Sequence, residues 1–218
     1  TDMVERASMM ASVTNAPIIA DADTGFGGLL NVQHTICGYE RAGVAAIQLE
    51  DQEFPKKCGH TLGRRVIDTQ DMVDKIRVAV DSRNDPNLLI IARTDARTSL
   101  GLEEAIDRAC AYRAAGADVL FVESPESESE FDKIATEIDA PLLANMVEGG
   151  RSPLLTREQL ESLGFAIVIY PGTGFFTAAA ALQNVYDHIL ETGSSNWADV
   201  PLYPIDEMHK LMGFPEVW

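Results

Sequence analysis

Six short apolar runs recur along the chain, at positions 17–20, 44–49, 88–92, 119–122, 141–144 and 166–170. Most are unbroken Val, Ile, Leu and Ala rather than alternating, which is how strands covered on both faces read. Helical spacing fills the intervals. Val32, Thr35, Ile36 and Tyr39 share one face over 31–42, and Met72, Val73, Ile76 and Val80 share one over 69–82. Leu102, Ile106, Ala109 and Arg113 do the same over 102–115, which stops at Gly116. Thr156 and Gln159 have the spacing of a capping box for a helix over 156–163, and a long helix over 178–190 follows the last run. The stretch 124–130 (SPESESE) reads as loose and acidic, leading into a helix.

Strand alternating with helix predicts an α/β fold with a parallel sheet. Ala-Gly phrases at 42–45 and 115–118 end one helix and turn into the next strand, so a βα unit repeats within one domain spanning 1–218. A doubly wound sheet and a TIM barrel share this pattern. The polar residues separate them. Asp21 and Asp23, Glu50 and Asp51, Arg93 and Asp95, Glu123, and Asn145 follow five consecutive runs. A barrel gathers all such ends on one face, whereas a doubly wound sheet concentrates function at one switch point. The expectation is therefore a TIM (β/α)8-type barrel, with six of eight strands present.

Composition narrows the partners. The chain has 218 residues, 34 Asp and Glu against 17 Lys and Arg, and a net charge of −17. That balance supplies no footprint for nucleic acid or an anionic membrane. No apolar run reaches the roughly 18 residues of a membrane span. The three cysteines, Cys37, Cys58 and Cys110, form no CxxC pair, which fits a reducing, cytoplasmic setting. Cys37 and Cys110 fall in helical patterns and read as core thiols.

Three constellations carry candidate chemistry. In 21–28 (DADTGFGG), Asp21 and Asp23 point the same way on an extended strand, and carboxylates of this kind suit Mg²⁺ or Mn²⁺. One Asp could equally cap the next helix while the glycines turn the chain. Glu50 and Asp51, ending the next strand, would add acidic groups to the same place. The polar stretch 52–65 reads as a lid with Gly59 and Gly63 as hinges. Within it Cys58 lies among Lys56, Lys57 and His60, cations that favour thiolate, although a surface thiol in a basic loop has the same local sequence. Arg93 suits a bidentate clamp on a carboxylate, Asn145 could donate to an oxyanion, and Glu123 could orient Arg93 or act as a base. The same three residues could instead form a structural network at the rim. His34, His188 and His209 read as ordinary surface or core residues.

Taken in order, DADTGFGG, QLEDQ (48–52), KKCGH (56–60), ARTDA (92–96), FVES (121–124) and NMVEGG (145–150) resemble the isocitrate lyase / phosphoenolpyruvate mutase superfamily. The resemblance implies a Mg²⁺-dependent barrel, with Asp21 and Asp23 as the metal site and Glu50 holding metal-bound water. It makes Cys58 the acid/base on a mobile loop, with Lys56 and His60 in the same catalytic group. Gly59, Arg93, Glu123, Asn145, Val147 and Thr173 would hold substrate. NMVEGG resembles the branch of oxaloacetate hydrolases, dimethylmalate lyases and petal-death proteins, and Cys58 favours carbon–carbon over phosphonate chemistry. Phe176 stands where methylisocitrate lyases place an Arg for a third carboxylate, so a small dicarboxylate substrate is implied.

The expected reaction is retro-aldol cleavage of a 2-hydroxy dicarboxylate. Oxaloacetate hydrolysis, methylisocitrate cleavage, phosphonopyruvate chemistry and a non-catalytic barrel are the alternatives. The resemblance also places two further strands before Thr1. It implies a homotetramer with exchanged C-terminal helices, in which the segment 193–218, with Trp197 and Trp218, would take part.

Overall fold

The computed structural model describes residues 2–196 and 201–217; Trp197 and Trp218 lie outside them. The chain divides into two compact units, Thr1–Pro171 and Gly172–Trp218. In the first unit, helix α1 (Asp2–Ser12) precedes β1 (Ile19–Asp21), α2 (Leu29–Ala42), β2 (Ala46–Glu50), α3 (Thr69–Ser82) and β3 (Leu89–Thr94). Then come α4 (Ala96–Leu100), α5 (Leu102–Ala114), β4 (Val119–Val122), α6 (Glu128–Glu137), β5 (Leu143–Asn145), α7 (Arg157–Ser162) and β6 (Ile167–Ile169). The second unit holds α8 (Thr173–Thr192) and α9 (Ile205–Leu211), followed by a 3-10 turn.

All strand pairs are parallel. β1 to β4 form one sheet in sequential order, β5 pairs with β6, and a parallel bridge from Leu120 to Leu142 links the two. Sequential order is that of a (β/α) barrel; a doubly wound sheet reverses direction at its first strand. The described strands do not close into a barrel, and six are present, as the apolar runs predict.

Strand pleating sorts side chains into two layers. Ile47 and Leu49, Ile90 and Ala92, and Leu120 and Val122 face outward and pack with Val32, Ile36, Tyr39, Met72, Ile76, Ile106 and Tyr112 of the helices. The other parity faces inward: Ala46, Ile91, Val119, Phe121 and Leu143 form a separate cluster with Ile167 and Ile169. Continue each strand along that inward parity and it reaches Asp21, Glu50, Arg93, Glu123 and Asn145. The register confirms the alignment, with Glu50 opposite Arg93 and Arg93 opposite Phe121.

Several local expectations shift. β1 starts two residues after Pro17, whose ring nitrogen cannot join a ladder, and so takes in Asp21. The stretch 124–130 is not loose: Ser127 accepts from the Glu130 N–H and starts α6 at Glu128. On α5 the buried face carries Tyr112, and Arg113 is exposed. Cys37 is only partly buried and Cys110 is exposed, so neither is a core thiol. The capping box of α7 forms as expected, with Thr156 and Gln159 satisfying each other's backbone N–H. Thr156→Ala should cost about 1 kcal/mol, read as a lowered urea midpoint with unchanged slope.

Among the described residues, no helix is long and apolar enough to cross a membrane.

Candidate active site

The inward-facing strand ends build a dense charged cluster. Glu50 and Glu123 have fully buried side chains, and Arg93 lies between them, with Nη1 3.6 Å from Glu50 Oε2 and Nη2 3.4 Å from Glu123 Oε2. Asp95 grips the same guanidinium through Nε and Nη2, both at 2.9 Å. Phe121 adds its ring face, 5.1 Å from the guanidinium carbon. Among the described residues, this leaves Nη1 as the arm of Arg93 whose ion-pair partner, Glu50 Oε2, is as far as 3.6 Å.

Glu50 and Asp51 are neighbours with opposite fates. Glu50 faces inward. Asp51 faces the helix layer, where it accepts from Thr94 Oγ1 at 2.7 Å, Asp95 N at 2.8 Å and Tyr112 Oη at 2.8 Å. Arg108 Nη1 completes its shell at 3.3 Å. Asp51 is thus a strut between β2, β3 and α5, not a further acid of the site. Burial pushes the Glu50 carboxyl up to about 7; Arg93 and Lys56 pull against this, and Asp95 and Asp21 add to it.

At the first strand end, Asp21 accepts the Asp23 N–H at 2.8 Å, and Asp23 and Phe26 take positive φ within the glycine turn. The Lys56 ammonium pairs with Asp23 and lies 3.2 Å from Glu50 Oε1. A cation therefore already bridges two of the three proposed metal-site carboxylates. Among the described residues, no three His, Cys, Asp or Glu side chains converge into a metal cage. Glu50 Oε1 is buried, and the Lys56 ammonium is its ion-pair partner. An all-carboxylate set gathered around one ammonium fits a hard divalent cation held by one or two carboxylates and water, and does not fit a closed zinc site.

The loop after β2 lies over this cluster. Gln52 clamps its base, exchanging hydrogen bonds with the backbone of Lys57 at 3.0 Å each way. Arg64 anchors its far end, reaching Asp95 Oδ1 at 2.6 Å and also bonding Thr98. A Cβ on Gly59 would collide with Arg93 and meet Glu123 at 2.9 Å, so glycine is what lets the loop backbone seat here. Cys58 is exposed on this loop. The cations expected beside its thiol are engaged elsewhere: Lys56 with the carboxylates and Lys57 Nζ with Gly63 O at 3.1 Å.

His60 joins the loop to the 145–151 segment. Its Nδ1 accepts from Arg151 N at 3.0 Å, so a neutral ring carries its proton on Nε2, which lies 3.3 Å from Glu123 Oε1. Burial lowers the His60 pKa, with Arg64 and Arg93 adding to the fall and Glu123 opposing it. A Cβ on Gly150 would sit 2.8 Å from that ring, which accounts for the second glycine of NMVEGG, while Gly149 takes a positive φ of 70° in open space. Val147 is half-buried in the same turn, its carbonyl accepting Gly150 N at 3.0 Å. Asn145 donates to Glu123 Oε2 at 3.1 Å, and its Oδ1 is buried without a partner. Its donor end thus faces Glu123 rather than an incoming oxyanion.

The structure therefore brings Glu50, Lys56, Gly59, His60, Arg93, Glu123 and Asn145 together. Thr173 opens α8 of the second unit. The residues that sequence reasoning missed are Arg64, Ser124 and Arg151, and for Asp95, which it placed at a strand end, the role of holding Arg93 and Arg64. Asp95 and Ser124 stand inside quoted motifs, and for Asp95 the shared parity with Arg93 was the available signal.

Parallel strands in barrel order, with a carboxylate-rich, arginine-centred site at their C-terminal ends, define an α/β chain of the barrel-enzyme class. The family model described as phosphoenolpyruvate phosphomutase matches residues 1–190, and the chain belongs to that family, within the PEP mutase/isocitrate lyase superfamily. It is 46% identical over 217 residues to 2,3-dimethylmalate lyase of Eubacterium barkeri, covering 100% of this chain and 75% of that protein. It is likewise 46% identical to 2-methylisocitrate lyase of Aeropyrum pernix, covering 95% and 67%. Among solved structures, oxaloacetate acetylhydrolase bound to 3,3-difluorooxalacetate superposes with a TM-score of 0.91 at 37% identity, over 99% of this chain and 75% of that one. Phosphonopyruvate hydrolase, solved with oxalate and Mg²⁺, superposes with a TM-score of 0.84 at 31% identity, over 98% and 74%.

Proposed function

We propose that this chain is a Mg²⁺-dependent lyase that cleaves the C2–C3 bond of a 2-hydroxy dicarboxylate of the alkylmalate type. The observation that carries this reading is the Cys58 loop seated, through Gly59, on the Arg93–Glu123 pair. The identity to 2,3-dimethylmalate lyase supports it.

Asp21 and Asp23 would hold the ion, with Glu50 reaching it through water. When bound, the ion supplies a Lewis acid beside the substrate's C2 oxygen. The chain's own residues do the rest. Arg93 offers Nη1 to the C1 carboxylate, while Asp95 and Glu123 fix its plane. Asn145 Oδ1 offers an acceptor to the substrate's hydroxyl. Glu50, poised near neutrality, takes the hydroxyl proton as the C2–C3 bond breaks. The C2 fragment leaves as a 2-oxo acid. The electron pair remains on C3 as an enolate-like carboxylate, and Cys58 protonates that carbon. For 2,3-dimethylmalate the products are pyruvate and propionate. The loop excludes water while the carbanion lives.

A second reading, hydrolysis of oxaloacetate to oxalate and acetate, is favoured by the superposition on oxaloacetate acetylhydrolase and uses the same groups. The test is a turnover screen with Mg²⁺ on 2,3-dimethylmalate, other 2-alkylmalates, methylisocitrate, oxaloacetate and phosphonopyruvate. Alkylmalate cleavage with the highest kcat/KM is the expected result. Oxaloacetate as the best substrate would replace the lyase by the hydrolase. Chelation with EDTA should abolish turnover and restored Mg²⁺ should recover it; unchanged rates in chelator would remove the metal from the reaction. We extend the reading to a cytoplasmic homotetramer, which sedimentation of the protein would check.

A further inference from the structure

Ser124 follows Glu123 directly and belongs to none of the roles above. It is buried and sits at φ 60°, a left-handed conformation that strains a non-glycine residue. Glycine would occupy the position without that strain, so the hydroxyl is the feature that distinguishes serine here. That hydroxyl is crowded by acceptors. Ser124 Oγ lies 2.9 Å from Gly59 O, 3.0 Å from Glu123 Oε1 and 3.4 Å from His60 Nδ1. The His60 nitrogen already accepts from Arg151 N, so it has no proton to give Ser124. One hydroxyl hydrogen cannot serve both remaining acceptors at once.

The geometry points to Ser124 as a positioning residue, whose hydroxyl latches the Cys58 loop by donating to the carbonyl of Gly59. Gly59 is the residue next to Cys58, and its missing Cβ is what allows that carbonyl to reach the strand ends. On the other side of Cys58, Gln52 holds the backbone of Lys57; beyond Gly59 the loop's ties are Arg151 N on His60 and Arg64 at the far end. The latch is thus the tie on the C-terminal side of the thiol-bearing residue, where Gln52 does not reach. When the loop lifts, the hydroxyl turns to Glu123 Oε1 and stays satisfied, so opening leaves no buried donor stranded. The catalytic meaning of the latch rests on the lyase reading; the latch itself does not.

Limited tryptic digestion of the whole protein, read by mass spectrometry, tests it at Lys56, Lys57, Arg64 and Arg65. Ser124→Ala and Ser124→Gly should each speed cleavage at these sites about fivefold, the ratio one net hydrogen bond supports. Sites elsewhere should cut at the parent rate, and Ser124→Gly, relieved of its strained φ, should keep or raise Tm. Unchanged loop cleavage in both variants would overturn the proposal. So would acceleration in Ser124→Gly alone, which would trace the effect to backbone freedom, and so would faster cutting spread along the chain with a lowered Tm. The digestion needs no substrate. If the parent protein turns over no alkylmalate, the lyase reading falls and the cleavage ratios still decide the latch.

Discussion

Cys58→Ser is expected to lower kcat for alkylmalate cleavage by roughly 10³-fold, within the span that a positioned general acid contributes. A cysteine thiol has a pKa near 8.5, whereas a serine hydroxyl is a far weaker acid. The substitution keeps size and polarity and removes the readily released proton. Cys58 is exposed, so folding should hardly notice, with Tm changed by about 1 °C or less. KM should hold within a few-fold, because Arg93 binds the carboxylate and is untouched. A stopped-flow assay with Cys58→Ser and Cys58→Ala checks the split. Full turnover in the serine variant would take the proton-donor role away from Cys58.

Asp51→Ala should be the most destabilising single change in the first unit, at about 4 kcal/mol. Burial raises the Asp51 pKa, and the hydrogen bonds from Asp95 N, Thr94 and Tyr112 hold it back. Those donors exist for this one acceptor. Burial and Asp51 together push the Tyr112 hydroxyl pKa up, so Tyr112 stays a donor. Alanine would leave a buried N–H, two hydroxyls and part of the Arg108 charge without an acceptor, each at a cost. For a protein of this size the loss corresponds to a fall in Tm of about 10 °C. Thermal unfolding by circular dichroism measures it, and a fall of only a degree or two would remove Asp51 from the framework.

Much of this was legible in the sequence, for a physical reason. Strands buried on both faces must be apolar at every position, so their runs stand out against helical spacing. The polar residue that ends each run is then placed by the pleat. Asp21, Glu50, Arg93, Glu123 and Asn145 could be assigned to one face by counting in twos. Helices α1 and α4 were not found. α1 buries only Ala7 and so shows no apolar stripe, and α4 has five residues, too few for a period to register. The ties of the loop were not legible either. Arg64 meets Asp95 across 31 residues of sequence, Ser124 meets Gly59 across 65, and Arg151 meets His60 across 91. Such contacts depend on how separate loops fall over one rim, and no local pattern encodes them. The surroundings of the thiol follow the same rule: proximity in sequence puts Lys56 beside Cys58, while the carboxylates of two strand ends draw its charge away.

The pairing of Glu50 with Asp51 sets a limit on how this protein can change. One residue added or lost within β2 would exchange the two carboxylates, sending the reactive acid into the helix layer and the strut into the pocket. No single further substitution repairs both errors. Length can therefore vary at little cost only beyond the strand ends, in segments such as 52–65 and 146–156. New specificities in this framework are reached by rewriting those loops over a strand layer that is frozen in its spacing.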